Sequence, residues 1–249
     1  MQRHYGLLPL IFIVAGVGLG TAGIVALEPA LIVPDTDGDG IPNDVENQRP
    51  SADPLHKDVY IEVSYAGEEL RPSNETLNEI RGEFASAPVE NPDGTSGIDV
   101  HIDLDDTASD EIPVVMREDE VWGNNSVGRT TFDNAGDGYH HIVITQRLLT
   151  ENDASGLYKD GTGIMAIQDS YSTEEIILHE LGHALGISSR DVHGVDSFDV
   201  PYEQYPSVMN YNRPLLSNSD PSYSNGTQGP RDHNDWREIS KELGDDADW

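Results

Sequence analysis

The stretch His179-Glu180-Leu181-Gly182-His183-Ala184-Leu185-Gly186 decides how the chain is read. A spacing of four puts His179 and His183 on one face of a helix, about one turn apart. Two imidazoles so placed can reach a single zinc ion, and Glu180 beside the first can polarise a water bound there. Ile176, Ile177, Leu181, Ala184 and Leu185 give the same segment a buried side. Ser172 followed by Glu175 has the pattern of a capping box and predicts the helix start. Gly186 predicts its end and a turn away from the axis.

On the C-terminal side, Ser207-Val208-Met209-Asn210-Tyr211 is a second compact element. Arg213 to Pro230 is rich in Ser, Asn, Gly and Pro and reads as loop, and Asp235 to Leu243 reads as a terminal helix. On the N-terminal side, Val59 to Tyr65 alternates and predicts a first strand. Asn74 to Phe84 predicts a helix with Leu77, Ile80 and Phe84 inward. Ile98 to Leu104 and Tyr139 to Thr145 predict two more strands, with a short helix around Val115 to Val121 between them. Gly163 to Ile167 predicts a short strand just before the histidine helix. The order implies an α+β fold, a twisted mixed sheet with helices packed on it. His140 and His141 are adjacent on a strand and point to opposite faces, so they form no joint site. With His101 and His233 they read as structural or surface histidines.

A different pattern precedes the first strand: Asp35-Thr-Asp37-Gly-Asp39-Gly40-Ile-Pro-Asn43-Asp44-Val-Glu46. Carboxylates at positions one, three and five, a glycine at six, Asn43 at nine and Glu46 at twelve follow the spacing that wraps oxygen ligands around calcium. Leu31 to Pro34 is too short and proline-rich for the first helix of an EF-hand. The loop is similar instead to the calcium-binding repeats of thrombospondin type 3. Residues 31–57 are thus expected to be a calcium-binding linker that stiffens a stalk, the alternative being a solvated acidic linker. Further upstream, Arg3 precedes the uncharged run Leu7 to Leu27. Residues 1–30 read as a signal peptide or an N-terminal membrane anchor, with the remainder outside the cytoplasm.

The 249 residues carry 46 acidic and 14 basic side chains, a net charge of −32. That field repels nucleic acid and anionic membranes. The acids are scattered among apolar runs, as expected of a folded surface adapted to high salt, where screening removes most self-repulsion. There is no cysteine, so neither a disulfide nor a thiolate ligand is available.

The elements from Thr173 to Tyr211 resemble the metzincins, zinc endopeptidases with the motif H-E-x-x-H-x-x-G-x-x-H or D followed by a methionine turn. The resemblance implies that His179 and His183 bind Zn2+, that Glu180 is the general base, that Gly186 is the turn glycine and that Met209 is the methionine of the turn. It also implies that Tyr211 approaches the metal and helps stabilise the oxyanion. Residues 58–249 would form the catalytic domain, with a small C-terminal subdomain. One position departs: three residues past Gly186, where the family has its third ligand, stands Ser189. A loop longer by four residues presents His193, the preferred third ligand because imidazole matches the other two. Asp196 and Asp191 are the alternatives. The implied function is a zinc-dependent endopeptidase acting on proteins or peptides. The alternatives are a catalytically silent cell-surface calcium-binding or adhesion module on the same scaffold, and a non-proteolytic zinc hydrolase. Oligomeric state leaves no mark in the sequence.

Overall fold

The computed structural model describes residues 34–123, 126–159, 161–170, 172–214 and 220–245. The apolar run Leu7 to Leu27 lies outside them, and among the described residues no helix is long and apolar enough to cross a membrane. The elements are α1 (Asn43–Glu46), β1 (Asp58–Tyr65), α2 (Asn74–Ala85), β2 (Asp99–Leu104), β3 (Val115–Arg117), α3 (Glu118–Val121), α4 (Val127–Thr130) and β4 (Tyr139–Thr145). Then follow β5 (Arg147–Leu149), β6 (Gly156–Tyr158), β7 (Ile164–Gln168), α5 (Thr173–Ala184), β8 (His193–Asp196) and α6 (Asp235–Asp245).

The architecture is mixed α/β. A mostly parallel sheet runs in the order β2-β1-β4-β7-β6, and only β6 is antiparallel to its neighbour. β1 pairs with β2 on one side and β4 on the other, and all eight of its residues are buried. Parallel strands covered on both faces need apolar side chains on both, which is why β4 and β7 read as near-continuous apolar runs. On one face Ile61, Val63, Ile142 and Ile167 meet Ile80 and Phe84 of α2, Ile177 and Leu181 of α5, and Trp236 and Ile239 of α6. On the other, Val143, Ile164 and Ala166 pack with Met116, Val121 and Leu148. α2 starts where its sequence says: Ser73 Oγ accepts from the Thr76 amide at 3.1 Å.

The segment Val115 to Val121, expected as one short helix, is half strand and half helix, because Val115–Arg117 pairs with Arg147–Leu149. The capping box expected at Ser172 does not form: Ser172 makes no side-chain cap, and Glu175 instead pairs with Arg213 at 2.8 Å. Thr173 takes over the entry, its hydroxyl donating to Asp169 Oδ1 and the Ser170 carbonyl at 3.1 and 2.8 Å. The strand β6, which the sequence leaves without assignment, forms the sheet edge beside α5.

Candidate metal centre and acidic loop

Helix α5 delivers His179 and His183 by the spacing of four, and two carbonyls then fix their rings. His179 Nδ1 lies 3.0 Å from the Val208 carbonyl, and His183 Nδ1 lies 2.7 Å from the Ile187 carbonyl. A carbonyl can only accept, so each Nδ1 carries the proton and each Nε2 presents a lone pair. The two Nε2 atoms stand 3.2 Å apart, and Asp196 Oδ1 stands 3.0 and 3.2 Å from them. Three acceptor atoms therefore converge, an arrangement that repels unless a cation lies between them. Burial would raise the Asp196 carboxyl, but contacts from both imidazoles hold it well below the usual range. Burial would lower the His183 imidazole, and Asp196 raises it past its ordinary value.

The third converging residue is thus Asp196, not the preferred His193. His193 is exposed at the head of β8, outside the cleft, while Asp191 lines the cleft away from the converging atoms. The cause is packing. Val192 and Val195 are buried, so the segment is anchored on either side of His193. Gly194 at φ 111° lies close against Val200 and Tyr205, and the Asp196 amide donates to the Met209 carbonyl at 3.1 Å. Asp196 itself takes φ 53°, the left-handed region that aspartate enters more readily than most residues.

Gly186 and Gly182 are fixed by close approaches. Gly186, at φ 86°, lets the Ile187 amide return to the Gly182 carbonyl at 2.9 Å, which is what brings the Ile187 carbonyl under His183. At Gly182 a Cβ would stand 2.5 Å from Met209 Sδ, so Met209 is the packed floor beneath the helix. Its turn is held from below. Ser207 Oγ accepts from the Met209 amide at 3.0 Å and donates to Asp235 Oδ2 at 2.6 Å, while Tyr205 donates to Asp235 Oδ1 at 2.7 Å. Asp235 is a fully buried carboxylate at the start of α6 that the sequence does not mark for this role. An aspartate opening a helix was its only local signal.

The centre opens on a cleft of about 550 Å³ lined by His179, Glu180, His183, Asp196, Tyr211 and Gly156 to Tyr158. Glu180 is buried, and burial raises its carboxyl above the ordinary value. A Cβ on Gly156 would lie 2.3 Å from Glu180 Oε1, so β6 presses directly on the glutamate. Tyr211 stacks on His179 with centroids 5.7 Å apart, and exposed Phe198 leans on Tyr211 at 5.4 Å. Burial, with the charges of Asp196 and Glu180, pushes the Tyr211 phenol up to about 12.

The acidic loop is the second candidate. Asp35, Asp37 and Asp39 bring carboxylate oxygens within 4.8 Å of one another. Asp35 accepts from the Gly38 and Gly40 amides at 2.8 and 3.1 Å. Asn43 does not point its carbonyl inward: its Oδ1 accepts from the Thr36 amide at 2.8 Å and its Nδ2 donates to Thr36 Oγ1 at 2.7 Å, closing the loop. Asp39 and Glu46 converge with Asp58, the first residue of β1, so the segment expected as a linker packs on the sheet. Burial and neighbouring carboxylates push Asp37 up to about 7 and Glu46 up to about 8. Among the described residues, His101 contacts Asp58, His141 Nε2 lies 2.8 Å from Ser64 Oγ, and His140 is buried, and none of them supplies a converging atom of either cluster.

No protein-family model matches the chain, and no curated protein sequence does.

Proposed function

We propose that the chain is a zinc-dependent endopeptidase of metzincin type, working outside the cytoplasm in high salt and held there or delivered there by its N-terminal apolar run. One observation carries the reading: His179 Nε2, His183 Nε2 and Asp196 Oδ1 converge within 3.2 Å as three acceptors, with Glu180 buried beside them on an open cleft. Two neutral imidazoles and a carboxylate suit zinc, and three protein ligands are the usual count where one position stays open for chemistry. Zinc held there supplies Lewis-acid polarisation of water and of a peptide carbonyl.

The chain's own residues supply the rest. Glu180 takes a proton from the attacking water and returns it to the amide nitrogen as the C–N bond breaks. Its burial favours this role, since a raised carboxyl is a better base. Tyr211, kept protonated by its high pKa, donates to the carbonyl oxygen as negative charge develops there. β6 is the half-buried antiparallel edge of the sheet, three residues long, and lies along the cleft. A protein or peptide substrate lies extended against it and completes its hydrogen bonds. The acidic loop takes Ca2+, because a hard cation suits an all-oxygen site.

The test is zinc content together with cleavage of casein or a quenched peptide, in high salt with calcium. Wild type is expected to hold one zinc at this centre and to cleave, and Glu180→Gln to keep zinc and lose cleavage. Asp196→Ala is expected to lose zinc, and His193→Ala to retain it. A folded wild type with neither zinc nor cleavage overturns the protease reading in favour of a silent calcium-binding surface module.

A further inference from the structure

Two carboxylates of the acidic loop are buried with nothing to bond. Asp37 is 7% exposed and Glu46 is 0% exposed, and none of their four oxygens has a hydrogen-bond partner. A buried charge persists in a fold only when it is paired or binds a cation. Neither nearby cation meets the need: Arg49 lies over the Tyr60 ring and donates to the Asp137 carbonyl. Lys57 Nζ donates to the main-chain carbonyls of Asp37 and Gly38 and leaves the carboxylates alone.

The Glu46 carboxylate reaches beyond its own loop. One of its oxygens lies within 4.8 Å of a carboxylate oxygen of Asp39 and of Asp58 at the head of β1. Loop and strand are already joined there, since the Asp58 amide donates to Asp39 Oδ2 at 2.8 Å. Asp58 keeps acceptor capacity: His101 contacts Oδ1 and the Asp53 amide donates to Oδ2, one partner for each oxygen. Asp39 has the same margin, with one amide on each oxygen.

We propose that Asp58 is a cation ligand, and that Asp39, Glu46 and Asp58 hold a calcium ion that clamps the acidic loop onto the first strand of the sheet. The proposal rests on the calcium reading of the loop and moves its reach from a stalk to the catalytic domain. Three carboxylates on one side, with water completing the shell, fit the six to eight oxygens that calcium takes. The clamp sits where it matters mechanically. β1 runs between β2 and β4, and the cavity beneath the loop is walled by Asp39, Asp58, Leu185 at the end of α5 and Leu243 of α6. Fixing the loop therefore closes off the end of the helix that carries His179 and His183.

The test uses the full chain with zinc retained and calcium removed by a calcium-selective chelator, titrated with calcium chloride by calorimetry. Asp58→Asn and Glu46→Gln are each expected to weaken calcium binding at least ten-fold. Asp44→Asn, on the exposed side of α1, is expected to stay within two-fold of wild type. Hydrogen exchange of the unmodified chain gives the second reading and needs no variant to fold: calcium is expected to slow the amides of Val59 to Val63 at least ten-fold. Calcium bound equally well by folded Asp58→Asn, or exchange in β1 indifferent to calcium, overturns the clamp and leaves the ion to the loop alone. A wild type that binds no calcium overturns the loop reading itself. Neither result bears on cleavage by the zinc centre, which is measured separately.

Discussion

The two ligand clusters solve opposite problems. At His179, His183 and Asp196 the protein has pinned the donors: each imidazole is locked by a backbone carbonyl, and the third oxygen sits between them on a cleft open to solvent. In the acidic loop only half of the donors are pinned: Asp39 and Asp58 are held by amides and by His101, while Asp37 and Glu46 are buried without a hydrogen bond. The first arrangement holds its acceptors together on a cleft open to solvent and is shaped for a reaction. The second is strained by its own charge until an ion arrives, and is shaped for stability. Nitrogen with one oxygen suits zinc, and oxygen alone suits calcium.

The sharpest way to break this division is to mutate one cluster and read the other. Glu180→Gln is expected to lower kcat by about 10²- to 10⁴-fold, with calcium affinity and Tm unchanged. A coupled fall in calcium affinity would mean that the two regions are one system. Gly156→Ala comes next. Its Cβ would meet Glu180 Oε1 at 2.3 Å, and displacing a base by about 1 Å costs on the order of 10²-fold. The expected signature is a loss in kcat with zinc still bound. Asp235→Asn loosens the floor under Met209 without touching a ligand. Weakening a buried network of this kind costs about 1–3 kcal/mol, seen as a lower Cm in denaturant, with calcium affinity intact.

A further effect belongs to neither cluster. Burial pushes the His140 and His141 imidazoles down to about 4, against about 6.5 in the unfolded chain. A depressed folded value means that the unfolded chain binds more protons between those limits. The stability these residues contribute is therefore present above pH 6.5 and lost as pH falls towards 4. His140→Leu is expected to flatten the fall in stability over that window by about one proton, or about 1.4 kcal/mol per pH unit. Denaturant midpoints from pH 7 to 4.5 measure it, and equal slopes in both proteins would show that His140 is not held neutral.

What the sequence discloses follows how local each cause is. Helix α5 and its two histidines are legible because a period of 3.6 residues needs no partner to be seen. The strand β1 is legible by its alternation, and β4 and β7 by their apolar runs, although β1 also buries Glu62 and Ser64 on its polar side. β6 is three residues long, too short for any period, although it forms the cleft edge. Asp196 outranks His193 for reasons spread across the chain, namely the burial of Val192 and Val195 and the bond to the Met209 carbonyl. Asn43 occupies a ligand position by spacing, yet its amide is spent on Thr36. Asp58 lies twelve residues past Glu46 at the head of a strand, where no loop pattern reaches.

The excursion from Gly186 to Asp196 also bears on how such chains are recognised. Both of its ends are fixed, one by a left-handed glycine and the other by the bond from the Asp196 amide to the Met209 carbonyl. Between them Val192 and Val195 are buried, while Ser189, Arg190 and Asp191 are exposed. A search template that demands a ligand three places after the glycine finds only Ser189 and passes this chain over. A template that leaves that gap elastic, and asks instead for Asp or His a dozen or so residues before a Ser-x-Met-x-Tyr element, would retrieve it and any others built with the same long arc.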